Sequence, residues 1–277
     1  MGFKVLDSVE NAVKIKKVIA VAAGKGGVGK STAAASLALA SSLRGLKTAV
    51  LDADVYGPSI PILLPDTSHM SVQKDRIIPA RSDQIQTVSI SHFHLTNSST
   101  AFRAPVVNMF IQQCVHQVDW GELDVLYVDF PPGVGDVHLS LLQEWAFSGV
   151  VLISLPNRIT HSDVEKAGRS FIEMGVEVVC VLENMSAPSI DSNRGLGHSF
   201  GQTSSVSLKE LFNAPLFEKV PFDPFFASTL DRGDNPFLQS RLTEAATSFL
   251  EIESKLIRYL DEKGSPSPYP KVLDWRH

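Results

Sequence analysis

Cysteine is almost missing: Cys114 and Cys180 are the two in 277 residues. So few exclude a disulfide framework. Long apolar runs are missing too. None approaches the ~20 residues that span a bilayer, and the N-terminus lacks the apolar core of a secretory signal. No Pro/Gly/Ser-rich linker interrupts the middle, and no internal repeat is visible. Residues 18–263 therefore read as one domain, with 1–17 a lead-in and 264–277 a tail. An excess of positive charge is also absent. The net charge of −5 argues against a strong nucleic-acid footprint, although a local basic patch could hide in the total. With 44% hydrophobic residues the chain can fill a large α/β core. These absences predict a soluble cytoplasmic protein with no stable membrane anchor.

What is present starts at Gly24, Lys25, Gly26, Gly27, Val28, Gly29, Lys30 and Ser31, followed by Thr32. The run fits G-x-x-x-x-G-K-[ST], in which backbone N–H groups cradle phosphates, lysine reaches the terminal phosphates and the hydroxyl binds magnesium. Context agrees with it. Val18–Ala23 is an apolar buried-strand run, and the Ala/Leu/Ser-rich stretch from Ser31 to Leu43 reads as a helix. The loop thus precedes a helix N-terminus, where unpaired amides and the helix dipole favour an anion.

Further strands are predicted at 48–51, 123–129, 150–155, 178–182 and 216–221, extended pieces at 76–79 and 85–90 with a polar turn between them, and helices at 105–118, 162–174 and 238–263. The alternation predicts an α/β fold, a mostly parallel central sheet with helices on both faces, and the 24–31 loop makes it of P-loop NTPase type. Asp52 and Asp54 stand at the end of the second strand, and both carboxylates are expected to face the phosphate loop. Asp129 ends another buried strand, where it suits a magnesium-bound water; a capping aspartate is the plainer alternative. The Pro/Gly-rich 130–136 stretch then makes a stiff switch loop. His92 and His94 are expected on one face of a strand end. Two ligands without a third nearby read as ordinary partly buried histidines.

Lys25, directly after the first glycine, makes the loop resemble the deviant Walker A of the ParA/MinD/Mrp group, related to nitrogenase iron protein. The resemblance implies that Lys25 reaches a partner subunit's nucleotide; a solvated loop lysine is the plainer reading. Asp52-Ala53-Asp54-Val55-Tyr56-Gly57-Pro58-Ser59, Asp119-Trp120-Gly121-Glu122-Leu123-Asp124, Asp129-Phe130-Pro131-Pro132-Gly133, Glu183-Asn184-Met185-Ser186 and Val220-Pro221-Phe222-Asp223-Pro224 extend it. Together they are similar to the Mrp family, also called ApbC, which includes scaffold proteins of iron–sulfur cluster assembly.

The resemblance implies an ATP-hydrolysing homodimer that uses magnesium. Lys30 would hold the β- and γ-phosphates and Thr32 the α-phosphate. Ser31, Asp54 and Asp129 would form the magnesium side, Asp129 through water. Asp54 would orient the attacking water, with Asp52 supporting it. Asn184 would meet the adenine edge, and the segment from Pro221 to Asp223 would close the base pocket. Arg103-Ala104-Pro105 matches a family Arg-Gly-Pro segment of no derived role. One departure stands out: the family's Cys-x-x-Cys after Glu-Asn-Met-Ser has no counterpart in 187–197, and no cysteine-rich N-terminal extension is present. Two thiolates from each of two subunits would make a four-ligand cluster site, which this sequence cannot supply in that way. Three readings follow: an ATPase tied to iron–sulfur assembly with an apo-protein client, a MinD/ParA-like positioning switch, or a nucleotide-dependent adaptor. The mixed charge of the final helix argues against a basic membrane anchor.

Overall fold

A computed structural model of the chain describes residues 14–93, 104–187 and 205–264. His94, Arg103, most of the 187–201 loop and the C-terminal tail lie outside the described residues. The principal strands are β1 (Val18–Ala23), β2 (Thr48–Asp52), β3 (Ala80–Ser82), β4 (Ile85–Ser89), β5 (Val125–Asp129), β6 (Gly149–Ser154), β7 (Val178–Ser186) and β8 (Leu216–Pro221). They form one sheet in the order β8-β7-β6-β1-β5-β2-β4-β3, parallel except for the β3–β4 pair. Lys14–Ile15 pairs with Glu122–Leu123, and a hairpin joins Ser71–Gln73 to Arg76–Ile78.

The helices are α1 (Lys30–Leu43), α2 (Ala104–His116), α3 (Asp136–Glu144), α4 (Arg158–Glu173), α5 (Val206–Phe212), α6 (Pro224–Asp231) and α7 (Glu244–Lys263). Apolar residues on both sides of each central strand demand a helix layer on both faces. In β1, Val18, Ala20 and Ala22 join the core under α2, α3, α4 and α5, whereas Ile19, Val21 and Ala23 join the core under α1, α6 and α7. Alanines along the buried face of α1 bring it close to the sheet. Where α1, β5 and α7 meet, Ser41 donates to Glu253 Oε1 at 2.7 Å and lies 2.9 Å from the Tyr127 hydroxyl, while Arg44 donates to Glu253 Oε2 at 2.8 Å. That buried carboxylate therefore has partners on both oxygens.

Two sequence expectations need correction. The last helix starts at Glu244 and not near Leu238: Pro236–Leu238 is a separate 3-10 turn, and the Thr243 side chain caps α7 by accepting from the Ala246 N–H at 3.2 Å. His92 lies in a 3-10 turn, Ile90–Phe93, not on a strand face. Its Nδ1 accepts from the Ser89 N–H, and its Nε2 is 3.5 Å from Asp66. Among the described residues no helix is long and apolar enough to cross a membrane.

Candidate functional site

Parallel strands align their carboxyl ends, and here three polar residues form a row. The register sets Asp52 opposite Asp129 on one side and Ser89 on the other. β1 lies beside β5, with Val21 opposite Asp129, so the 24–29 loop emerges next to this row. The β1–β5 and β1–β6 neighbours diverge in sequence order at this point, which is where open α/β sheets bind ligands.

Lys30 opens α1 and is nearly buried. Its Nζ lies 2.6 Å from Asp129 Oδ1, 3.4 Å from Ser31 Oγ and 3.6 Å from Asp54 Oδ2. Burial pushes the Asp129 carboxyl above the ordinary range, with Lys30 opposing that rise and a hydrogen bond from Ser31 adding to the opposition. The other oxygen, Asp129 Oδ2, is buried without a hydrogen-bond partner. A buried ion pair seldom repays its desolvation, and a buried orphan oxygen adds to the cost. The arrangement makes sense as a site held ready for an incoming ligand.

The two aspartates of the β2 end divide. Asp54 faces Lys30. The Asp52 carboxylate is instead taken up by backbone and hydroxyl donors: the N–H groups of Asp54, Ser59 and Ile60 at 3.2, 3.1 and 3.1 Å, and Ser89 Oγ at 3.2 Å. It fastens the 54–60 loop in place rather than facing the phosphate loop. Burial first, and the Asp129 charge second, push its pKa up to about 7. A raised folded-state value means that stability is highest where both states are protonated and falls as pH rises from about 4 to about 7. Relative to Asp52→Asn, the wild type should lose roughly 3–4 kcal/mol across that window and change little above it. Melting temperatures of both proteins from about pH 4 to about pH 8 measure this; a constant difference would refute it.

The 24–29 loop is shaped from behind. A Cβ on Gly24 would meet the Asp163 backbone carbon at 2.1 Å, so α4 crosses directly over the loop's first glycine. Gly29 has φ +86° and a Cβ there would meet Asn184 Nδ2 at 2.3 Å. Gly26 and Gly27 border open space, leaving their side of the loop accessible. Val28 is buried, Ser31 and Thr32 are half-buried in the first turn of α1, and Lys25 is half-buried on the loop. The 130–135 loop is tied to β1 by Phe130 N–H to Val21 O at 3.0 Å and Gly133 N–H to Ala23 O at 3.2 Å. Beneath it the Phe130 ring packs against His138, Phe147 and Phe171 at centroid distances of 5.1, 5.3 and 5.1 Å. Burial lowers the His138 pKa to about 4, so this box holds a neutral ring.

The residues assigned to the base pocket lie at the ends of β7 and β8. Asn184 Nδ2 donates to Val28 O at 2.9 Å. Asp223 Oδ1 caps α6 by accepting from the Phe226 N–H at 2.9 Å, and Pro221 is buried at the end of β8. Sequence reasoning missed Ser89 and the backbone of Asp163. Ser89 could have been suspected as a polar residue ending an apolar strand; nothing local points to Asp163.

The oxygen donors suit a hard divalent cation. Asp129 Oδ2 has lone pairs without a hydrogen-bond partner, and Ser31 and Asp54 flank the same lysine. No group of three or more His, Cys, Asp or Glu side chains among the described residues makes a metal site by itself. Phosphate and water oxygens would have to complete a magnesium shell, as that ion prefers. The cysteines do not suit an iron–sulfur cluster. Cys114 and Cys180 are fully buried and burial pushes both thiols well up, away from the thiolate form that ligation requires.

A profile of the ParA family, described as NUBPL iron-transfer P-loop NTPase, matches residues 14–257. An iron-sulfur cluster carrier protein of Rickettsia typhi is 36% identical over 224 residues, covering 81% of this chain. The chain spans 66% of that relative's length. The carrier protein of Aquifex aeolicus is 35% identical over 253 residues, covering 90% of this chain and 69% of the relative. Among solved structures, an Archaeoglobus fulgidus nucleotide-binding protein in complex with ADP is 30% identical, with TM-score 0.67, and the match covers 82% of this chain and 90% of that one. MinD of Pyrococcus horikoshii, complexed with Mg-ADP, shares the fold at 18% identity and TM-score 0.66, covering 90% and 98%.

Proposed function

The chain belongs to the ParA family of iron-transfer P-loop NTPases, and from that membership we propose that it binds ATP with magnesium, hydrolyses it slowly as a homodimer, and serves iron–sulfur cluster assembly or transfer in the cytoplasm. The observation that carries the reading is the convergence of Asp129, Asp54 and Ser31 within 3.6 Å of the Lys30 ammonium at the mouth of the sheet. Phosphoryl transfer needs positioning and neutralised charge more than covalent chemistry. Lys30 would exchange Asp129 for the β- and γ-phosphates. Asp129 and Ser31 would hold magnesium, which neutralises charge on those phosphates. Asp54 would orient the attacking water, while Asp52 keeps the loop carrying Asp54 in register. Backbone amides of Gly26–Thr32 would line the phosphates.

Lys25 carries the dimer part of the proposal. Lys30 already supplies a phosphate-directed charge, so a half-buried lysine directly after Gly24 suits a second subunit's nucleotide. Sedimentation of Asp54→Ala should show a dimer with ATP and monomer with ADP, and Lys25→Ala added to it should abolish the dimer. An oligomeric state indifferent to nucleotide and to Lys25 would remove this part.

The buried thiols favour a second reading, in which ATP-dependent dimerisation switches contact with a protein partner or apo-protein client and no cluster is held. Anaerobic purification, an absorption spectrum and iron analysis separate the two. Bound iron with sulfide absorption would select the carrier, and an iron-free protein that still hydrolyses ATP would select the switch.

A further inference from the structure

Resting on the reading of the mouth as an ATP site, we infer that His92 is a positioning residue: it fixes the end of β4 and, through it, the 54–66 segment that carries Asp54. No step of the proposed chemistry uses this histidine. It sits in the 3-10 turn Ile90–Phe93, directly after β4, with its side chain 7% exposed. The turn has anchors besides the histidine. Ile90 belongs to the core, and the Phe93 ring meets Phe110 edge-on at 5.4 Å.

Hydrogen-bond chemistry assigns the ring proton. A backbone N–H can only donate, and that of Ser89 lies 3.2 Å from His92 Nδ1. Nδ1 is therefore the bare nitrogen, and the neutral ring carries its hydrogen on Nε2. Nε2 lies 3.5 Å from Asp66 Oδ2. The imidazole accepts from the end of β4 on one side and turns its N–H toward Asp66 on the other.

Both contacts lead to one segment. The Ser89 hydroxyl donates to Asp52 Oδ2 at 3.2 Å while its oxygen accepts from Ser91 Oγ at 3.0 Å. A hydroxyl that accepts one hydrogen bond donates a stronger second one. Asp52 Oδ2 then gathers the N–H groups of Ser59 and Ile60 at 3.1 Å each. Asp66 also lies 3.5 Å from Thr87 Oγ1 on β4. The 54–66 segment is thus clasped at both ends by β4 and its turn, by Ser89 through Asp52 and by Thr87 and His92 through Asp66. Asp54, 3.6 Å from Lys30, stands at the front of the clasp. Removing the Nδ1 acceptor leaves the Ser89 N–H without it and lets Ser89 turn from Asp52. A misplacement of about 1 Å in a positioned group costs on the order of a hundredfold in rate, so a partial loosening should cost about tenfold.

Single-turnover ATP hydrolysis, calorimetric ATP binding and hydrogen exchange of the 54–60 amides test this in wild type, His92→Leu, His92→Asn and His92→Gln. The Asn Oδ1 takes the place of Nδ1 and keeps the acceptor, whereas the Gln amide takes the place of Nε2 and keeps only the donor toward Asp66. His92→Leu and His92→Gln should hydrolyse ATP about tenfold more slowly, with affinity within about twofold of wild type. Their Ser59 and Ile60 amides should exchange faster, and His92→Asn should restore both rates. Should His92→Leu fail to fold, the Asn and Gln pair still decides. Wild-type turnover and exchange in His92→Gln would overturn the inference. So would recovery by Gln and not by Asn, which would give the role to Asp66 alone, and so would equal loss of affinity and turnover in all three variants. Wild-type protein that binds no ATP would overturn the nucleotide reading instead, and amide exchange in the Asn and Gln variants would still decide whether His92 holds the segment.

Discussion

Lys30→Ala is expected to lose ATP binding and hydrolysis together, with turnover falling by about a thousandfold or to background. Charge-assisted contacts to phosphate are roughly twice as strong as neutral ones, and this lysine is the buried cation at the mouth of the loop. The structure adds a second expectation. Lys30 is also the counter-charge of Asp129, which is fully buried and already has one oxygen without a partner. Removing one member of a buried pair typically costs about 3–5 kcal/mol. Lys30→Ala should therefore melt lower, and the loss of binding needs a control for folding. The double variant Lys30→Ala/Asp129→Asn supplies it. Neutralising the stranded carboxylate should recover much of the stability and none of the binding. Equal recovery of both would mean that Lys30 acts only through the fold.

Asp54→Ala should bind ATP with near wild-type affinity and turn it over at least about a hundredfold more slowly. Asp54 lies 3.6 Å from Lys30, and no buried network depends on its carboxylate as one does on Asp52. Asp52→Ala has a different signature. Four donors lose their acceptor, including the N–H groups of Ser59 and Ile60, so the loop carrying Asp54 loosens. Stability and turnover should fall together, whereas Asp54→Ala should lower turnover alone. Single-turnover hydrolysis with parallel thermal melts distinguishes them. Full activity in Asp54→Ala beside a stable, inactive Asp52→Ala would reverse the two roles.

The parts of this site that were legible in the sequence are local. Gly24–Ser31 carries its own conformation, and apolar strands ending in Asp52 and Asp129 announce residues at the mouth of a parallel sheet. What stayed hidden depends on register and on contacts between distant elements. The Lys30–Asp129 pair, the use of Asp52 by the 54–60 loop and the Asn184 contact all arise from which strand lies beside which. Helices α3, α5 and α6 are 9, 7 and 8 residues long, too short for an apolar period to declare itself. The 71–78 hairpin turns through Lys74 and Asp75, both at positive φ, where Asn-Gly would have signalled it. The start of α7 was legible after all: Thr243 followed by Glu244 is an N-cap ahead of an acidic first turn, and the apolar residues before it masked the boundary.

The proposed function requires that this mouth take a magnesium-bound nucleoside triphosphate. The most direct test titrates wild-type protein with ATP in a calorimeter, with magnesium and with chelator, and follows phosphate release in the same samples. One ATP per chain is predicted, with magnesium-dependent phosphate release on the order of 10⁻⁴ to 10⁻² per second, the range of P-loop enzymes without an activating partner. Folded protein that gives no binding heat with magnesium and ATP, and releases no phosphate, would contradict it.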